Sequence, residues 1–292
     1  MSDFLEQEQV VADFSASDNW IVLSPIEQSI KKKIEAVGTP LKDWKDIKIC
    51  RGVLTGCNEA FIIDSTKREE ILSNCQSDEE RERTAELIRP ILRGRDIKRY
   101  SYEWANLWLI YIPWHFPYQF DNTIQGASEI AEAAFKKQYP SVYSHMLQFK
   151  EPLSKRNKAE TGIRYEWYAM QRWGANYWED FSKPKIVWNR IAAVKQFAKV
   201  DAYIYIQDSM HFIIGDKLNY ICSVLNSKII QWLLSMVIGE AAGGNAGNSD
   251  NIWNIPIPFV SLDKSVSDNY LYERYGLSKE EIAYISSQID IC

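Results

Sequence analysis

The chain has 292 residues, 46% hydrophobic and 25% charged, with a net charge of -5. This composition excludes wholesale disorder, and the length leaves room for one large domain or two modest ones. No apolar run is long enough to cross a membrane, and residues 1–9 lack the apolar core of a signal peptide. Its five cysteines are odd in number and form no C-x-x-C pair, so we expect reduced thiols in a cytoplasmic protein instead of a disulfide framework or a zinc site.

The first predicted helix has clear start and stop signals. Ser24 and Glu27 have the spacing of a capping box around a proline at the first helical position, and Gly38 ends the apolar period. Two strand-like runs follow in residues 47–64. The turn between them contains Gly52 and Gly56, which favour a tight backbone conformation.

Hydrophobic periodicity and turn residues predict the remaining elements. Helices are predicted over residues 78–92, from Pro140 onward, over residues 216–238 and from a second capping box at Ser278–Glu281. Strands are predicted at residues 107–112, 185–191, 196–200, 202–206 and 211–215. Residues 149–181 have no clean period and are interpreted as a long structured loop region, while the glycine-rich run 239–247 is interpreted as a flexible connection.

These elements predict a mixed α/β (α+β) fold. We expect short, mostly antiparallel strands, one long packing helix and a small C-terminal helical appendage. The predicted boundaries are an N-terminal tail over residues 1–19, a principal domain over residues 20–260 and the appendage over residues 261–292.

No catalytic or metal-binding pattern stands out. His115, His145 and His211 have no second His or Cys at ligand spacing and are interpreted as structural residues. The glycine-rich run lacks the Gly-Lys-Ser/Thr ending of a P-loop, and no G-x-S-x-G elbow occurs. The sequence therefore predicts no catalytic residue, no metal site and no cofactor in this chain, and leaves open whether it takes part in an enzyme.

Positive charge is concentrated in residues 136–199. This segment holds thirteen Lys or Arg and only five Asp or Glu, a local charge of +8 within an acidic chain. Aromatic residues alternate with these cations, although most of the rings are expected to pack in the core. The pattern favours either a basic nucleic-acid-binding face or charges scattered over several solvated faces, and charge alone leaves both open.

Eight segments in a fixed order carry a family resemblance. They are GTPLKDW, RGVLTGCNEAFIID, IRPILRGRDIKRY, LWLIYI, KPKIVWNRI, VLNSKIIQWLL, IPIP and LYERYGLSKEEI. This order resembles the C-terminal target recognition domain of type IIG restriction-modification enzymes and of adenine-N6-specific DNA methyltransferases, which is related to the recognition domains of type I specificity subunits. The resemblance spans about residues 20 to 290 and implies sequence-specific recognition of double-stranded DNA.

The catalytic motifs of those enzymes are missing from this sequence. It contains no N-P-P-Y or D-P-P-Y motif, no F-x-G-x-G-like S-adenosylmethionine loop, no Pro-Asp dipeptide and no E-x-K. The resemblance therefore implies a reading module for bacterial defence. S-adenosylmethionine and Mg²⁺ are expected only in an associated methyltransferase and endonuclease part, on the same or a separate polypeptide.

The resemblance also implies roles for individual residues. The turn with Gly52, Thr55 and Gly56 is expected near the DNA or at the junction with the catalytic part. Residues expected to contact DNA phosphates are Lys155, Arg156, Lys158, Lys183 and Lys185. Candidates for contacts with base edges are Arg164, Gln171, Arg172, Asn189 and Arg190.

Two other functions remain open at this point. Eleven Trp and sixteen Tyr in an acidic chain also suit a carbohydrate-binding or glycan-processing protein, in which rings stack on sugars. A diverged methyltransferase is the third hypothesis, and the missing motifs disfavour it.

Overall fold

The structure, a computed structural model, describes residues 23–190, 195–238 and 249–289. The predicted tail over residues 1–19 and the glycine-rich run 239–247 lie outside the described residues. Within the described ranges the chain forms twelve α-helices and ten strands. No helix among these residues is long and apolar enough to span a membrane.

The helices are short and are numbered in chain order. They are α1 (Pro25–Val37), α2 (Asn58–Phe61), α3 (Ser65–Ser73), α4 (Asp78–Leu87), α5 (Glu129–Gln138), α6 (Pro140–Leu147), α7 (Lys150–Lys155), α8 (Leu218–Leu225), α9 (Lys228–Ile238), α10 (Ser249–Trp253), α11 (Asp268–Tyr275) and α12 (Lys279–Gln288). Three short 3₁₀ turns lie at Leu41–Asp43, Gly94–Asp96 and Trp178–Ser182.

The strands build three small sheets. They are β1 (Thr39–Pro40), β2 (Lys48–Arg51), β3 (Ile62–Asp64), β4 (Ile88–Leu92), β5 (Leu107–Ile110), β6 (Lys185–Asn189), β7 (Ala198–Val200), β8 (Tyr205–Ile206), β9 (Met210–Ile214) and β10 (Pro256–Ile257). The strand orders are β1-β10, β2-β9-β6-β7 and β3-β5-β4-β8. The pairing of β4 with β8 is parallel, whereas β6 pairs antiparallel with both β7 and β9.

The chain divides into two compact units. Unit 1 comprises Met1–Lys48, Arg190–Phe197 and Gly215–Cys292, and unit 2 comprises Ile49–Asn189 and Ala198–Ile214. In unit 1 the helix α1 buries Ile30 and Ile34, and Glu281 of α12 accepts hydrogen bonds from Ser29 Oγ and Lys33 Nζ, both at 2.7 Å. These contacts join the first and last described helices of that unit.

Unit 2 contains the two four-stranded sheets and a core rich in aromatic rings. Every residue of β9 and the first four residues of β6 are buried, so both strands are covered on both faces. Phe181 stacks on Tyr205 with ring centroids 4.6 Å apart, and Phe135 lies 4.6 Å from Tyr168. The core therefore holds the ends of these strands in fixed positions.

The predicted fold class is confirmed, with two corrections to its elements. Residues 88–92 belong to strand β4 and not to the charged helix predicted over residues 78–92, because Ile88, Pro90 and Ile91 favour an extended backbone. The single long helix predicted over residues 216–238 is two helices, α8 and α9, with the break at Asn226 and Ser227.

Asn226 explains this break through its side chain. Its amide nitrogen donates to the carbonyl of Phe197 at 2.8 Å, and its side-chain oxygen accepts from the nitrogen of Phe197 at 3.1 Å. Side-chain bonds of this kind compete with the helical backbone pattern. The predicted domain boundaries stay a prediction.

Candidate functional site

Four strands of unit 2 end close together. Val53, just after β2, donates to the carbonyl of Ile206 at 2.9 Å, and Gln207, just after β8, donates to the carbonyl of Leu92 at 3.2 Å. Asn189, the last residue of β6, pairs with Met210 across the sheet. The carboxyl ends of β2, β4, β6 and β8 therefore meet, and the loops that leave them lie side by side.

We call these loops the strand-end surface. Its residues are Gly52–Gly56, Arg93–Asp96, Gln171–Arg172, Asn189 and Gln207–Asp208. Two of its glycines allow close approach of the backbone. A side chain at Gly52 would overlap the carbonyl of Gln207, and a side chain at Gly94 would overlap the amide of Asn189. Larger residues at these positions would push the loops apart.

The turn after β2 packs directly on the second half of the loop region 149–181. Leu54 and Arg172 exchange two backbone hydrogen bonds, each 2.9 Å long. Gly56 has a φ of +74°, and a Cβ there would lie 2.8 Å from Gln171 Oε1 and 2.9 Å from Arg156 Cδ. The predicted turn and two predicted base-edge candidates, Gln171 and Arg172, are thus brought together.

The side chain of Arg156 stabilises this arrangement from the interior of unit 2. Its guanidinium donates to the carbonyls of Thr55, Trp167 and Ala169, with the bond to Trp167 at 2.9 Å. Burial lowers the pKa of Arg156, and a guanidinium still remains charged. The prediction that Arg156 contacts a DNA phosphate is corrected, because its donors already bind three carbonyls inside unit 2.

Lys185 requires a second correction. Its side chain is 0% exposed, and Nζ donates to the carbonyls of Phe181 at 3.0 Å and Ile204 at 3.2 Å. Burial lowers the pKa of Lys185 to about 7, although the charge of Asp201 raises it. A side chain in this position cannot reach a phosphate, so the predicted phosphate contact is wrong.

Exposed cations remain at the surface itself. Arg95 and Arg172 are exposed, while Gln171, Asn189 and Gln207 are partly buried and their side chains are amides. The two acids are paired with arginines: Asp96 binds Arg93 at 2.7 Å, and Asp208 lies 3.5 Å from Arg51. The surface therefore combines free positive charge with amide donors and acceptors.

Arg95 and Gln207 were missed by the sequence analysis. Arg95 lies in the segment IRPILRGRDIKRY that contributed to the family resemblance, so a signal for this loop existed. Gln207 lies between two short strands, and its proximity to β4 follows from a parallel pairing that no local pattern encodes.

The other predicted site residues lie in several places. Lys155 is exposed and pairs with Glu151, Lys158 is exposed, and Lys183 is exposed with Nζ 2.8 Å from Asp180. Arg164 is exposed and binds Glu160 at 2.9 Å. Arg190 is partly buried and belongs to unit 1, where its carbonyl accepts a hydrogen bond from Lys195 Nζ at 3.0 Å.

The aromatic rings of the basic segment lie mainly in the core. The buried ones are Tyr143, Tyr165, Trp167, Tyr168, Trp173, Phe181, Trp188 and Phe197. The histidines likewise have partners inside the fold: His145 Nε2 lies 2.9 Å from the carbonyl of Ala60, His115 Nδ1 lies 3.0 Å from Glu166, and His211 stacks on Trp188. Among the described residues no group of three or more His, Cys, Asp or Glu could hold a metal ion.

Comparison with known proteins places this arrangement in a family. The model of the TaqI-like C-terminal specificity domain matches residues 89–257, more than half of the chain. The chain belongs to this family. The match covers Arg95, the loop region with Gln171 and Arg172, and both short strands around Gln207. It confirms the resemblance to the C-terminal specificity domain of restriction-modification enzymes that the sequence indicated.

Two solved structures have a partial likeness to the chain. One is the type IIL restriction-modification enzyme MmeI in complex with DNA, with 12% identity, a TM-score of 0.41, and coverage of 76% of this chain and 24% of that one. The other is the type IIG restriction endonuclease BpuSI, with 13% identity, a TM-score of 0.47, and coverage of 87% and 28%. The chain thus spans about a quarter of the length of either enzyme. No curated protein sequence matches it.

Proposed function

We propose that this specificity domain binds double-stranded DNA and reads its sequence through the strand-end surface. The observation that carries the proposal is the gathering of arginine and amide side chains around four strand ends. Arginine can bind guanine O6 and N7 with two hydrogen bonds, and the amides of Asn and Gln can do the same at adenine N6 and N7. The surface offers both kinds of reader.

The base-reading candidates are those that the fold brings together. Gln171, Arg172 and Asn189 keep the role expected from the resemblance, and Arg95 and Gln207 join them. Arg164 and Arg190 keep it only as isolated candidates. Asp96 and Asp208 are each paired with an arginine, so their negative charges repel the DNA phosphates less.

Phosphate contacts are assigned to exposed lysines of the same unit. Lys155 and Lys158 lie within the loop region 149–181, and Lys183 lies just after it. Contacts of this kind set the register of the protein on the duplex and make affinity depend on salt, but they carry no sequence information.

The reading module would direct a catalytic part. A site-specific adenine-N6 methyltransferase and endonuclease part, on the same or another polypeptide in the cytoplasm, would bind S-adenosylmethionine and Mg²⁺. The DNA-reading chain would then determine where methylation and cleavage occur.

The carbohydrate-binding alternative loses its basis in the basic segment. Eight of its aromatic rings are buried there, so they have no face on which a sugar could stack. Binding of the chain to a glycan array without binding to DNA would restore this alternative.

The test is fluorescence anisotropy of the full chain with a randomised duplex pool at 50 and 200 mM salt, followed by selection of bound sequences. We expect salt-sensitive binding and enrichment of one short sequence motif. Binding that is undetectable, or independent of both salt and sequence, contradicts the proposal. Lys279→Ala, which removes one exposed charge from unit 1, is the control for a simple change in net charge.

A further inference from the structure

A small hairpin projects from the strand-end surface. Residues 97 and 102 form an antiparallel bridge, and Glu103 donates to the carbonyl of Asp96 at 2.8 Å. Its base is fixed by Arg93, whose guanidinium binds both oxygens of the buried Asp96 at 2.7 and 3.0 Å. The hairpin is thus a rigid extension of the loop that contains Arg95.

The side of the hairpin is also fixed. The hydroxyl of Tyr102 donates to Asp201 at 3.3 Å. Burial raises the pKa of Tyr102, and the Asp201 carboxylate raises it further, so the hydroxyl remains a donor at neutral pH. The tip is therefore held at a defined position relative to unit 2.

At the tip of the hairpin, Tyr100 has a backbone conformation that tyrosine rarely adopts. Lys98 and Ser101 exchange backbone hydrogen bonds of 2.9 and 3.4 Å, which leaves Arg99 and Tyr100 as the two central residues of a tight turn. Tyr100 has a φ of +67°, a conformation that turns normally assign to Gly or Asn. The strain of a bulky residue in this region is typical of functional sites.

The Tyr100 side chain is displayed to solvent among cations. It is 48% exposed, and the guanidinium carbon of Arg99 lies 5.0 Å from its ring centroid. Lys98 is exposed, and its Nζ lies 3.8 Å from the carboxylate of the exposed Glu103. An exposed ring flanked by two positive charges suits the backbone of a DNA duplex, where phosphates alternate with deoxyribose sugars.

We propose that the hairpin of residues 97–102 is a DNA-contacting arm that extends the binding surface beyond the base-reading loops. Lys98 and Arg99 bind backbone phosphates, and the Tyr100 ring packs on a deoxyribose beside them. This inference rests on the proposed function, because the arm is useful only if the strand-end surface meets the duplex.

The first test replaces Tyr100 by Asn, which accepts the left-handed backbone. We expect Tyr100→Asn to keep or raise the melting temperature while weakening duplex binding about 5- to 10-fold. Tyr203→Asn is the matched control: Tyr203 has a φ of +64° and is 56% exposed, but its loop contains the acidic Asp201. This control should leave DNA affinity unchanged.

The second test is the double variant Lys98→Ala and Arg99→Ala. The slope of log K against log salt should fall by roughly two, since about two phosphate contacts are lost. If the wild-type chain binds DNA in a salt-dependent way and both the Tyr100 and the double variant bind equally well, the arm is refuted while the proposed function stands. If the wild-type chain does not bind DNA, the proposed function fails first and the arm fails with it.

Discussion

Two regions of unit 2 use positive charge in opposite ways. Below the strand-end surface, Arg156 and Lys185 point inward and donate to backbone carbonyls. At the surface, Arg95 and Arg172 face solvent. The difference teaches that a basic stretch of sequence is not the same as a basic face, since its cations can hold loops in place as well as bind a partner. Removing an inner cation should therefore damage folding, and removing an outer one should damage only binding.

The largest effect is expected for Arg156→Lys. A lysine keeps the charge but cannot reach three carbonyls, so partly buried acceptors are left without a donor. We expect the free energy of unfolding to fall by about 3 kcal/mol, measured by urea denaturation. Arg164→Lys is the matched control, because Arg164 is exposed and its contacts with Glu160 and with the Trp114 ring lie at the surface. Equal effects of the two substitutions would abolish the distinction between inner and outer cations.

The second effect concerns pH and Lys185. Its folded-state pKa of about 7 lies below the ordinary value of 10.5, so between these values the unfolded chain binds more protons than the folded one. The destabilisation from burying the lysine is complete below about pH 7 and is relieved as the pH rises. Relative to Lys185→Met, the wild-type chain should gain roughly 2 kcal/mol of unfolding free energy between pH 7 and 9.

Thermal and urea unfolding at several pH values check this prediction. Lys183→Met is the control, because Lys183 is exposed and only two positions away. Its pH profile should run parallel to that of the wild-type chain. A Lys185→Met profile that is also parallel would mean that the inner lysine carries its proton throughout.

The third prediction distinguishes side chains that contact base edges from side chains that contact phosphates. Gln171→Ala and Arg172→Ala should leave unfolding almost unchanged, while discrimination at one base position of the selected motif falls by about 1–2 kcal/mol. Competition binding with single-base variants of that motif measures the loss. If all base positions weaken together, the side chain contacts a phosphate instead of a base.

The smallest effect is expected for Lys158→Ala. Loss of one exposed charge should weaken binding to every sequence alike and lower the salt slope by about one. Anisotropy titrations at four salt concentrations give that slope. A change in affinity that depends on the DNA sequence would mean that Lys158 contacts a base edge and not a phosphate.

Local signals in the sequence were sufficient for part of the fold. The capping boxes of α1 and α12 form as predicted: Ser24 N donates to Glu27 at 2.7 Å, and Glu281 N donates to Ser278 Oγ at 3.2 Å. Such motifs involve residues three apart, so neighbouring residues contain all the information. The family resemblance and the fold class were also predicted correctly.

The sequence could not show that the side chains of Arg156 and Lys185 point into the interior of unit 2. Strand β6 is buried on both faces, so it lacks the alternation that would assign Lys185 to one side. Arg156 follows helix α7, and its three acceptors come from residues 55, 167 and 169. Contacts at such separation depend on the packed fold, which is also why the break between α8 and α9 was missed.

The contact between Gly56 and residues 156 and 171 limits how this domain could be redesigned. A chimera that exchanges only residues 167–172 for those of a relative would place a foreign side chain against an unchanged turn, where a Cβ on Gly56 would already lie 2.8 Å from Gln171. Residues 52–56, Arg156 and residues 167–172 form one exchangeable cassette. A library for new specificities should therefore vary them together.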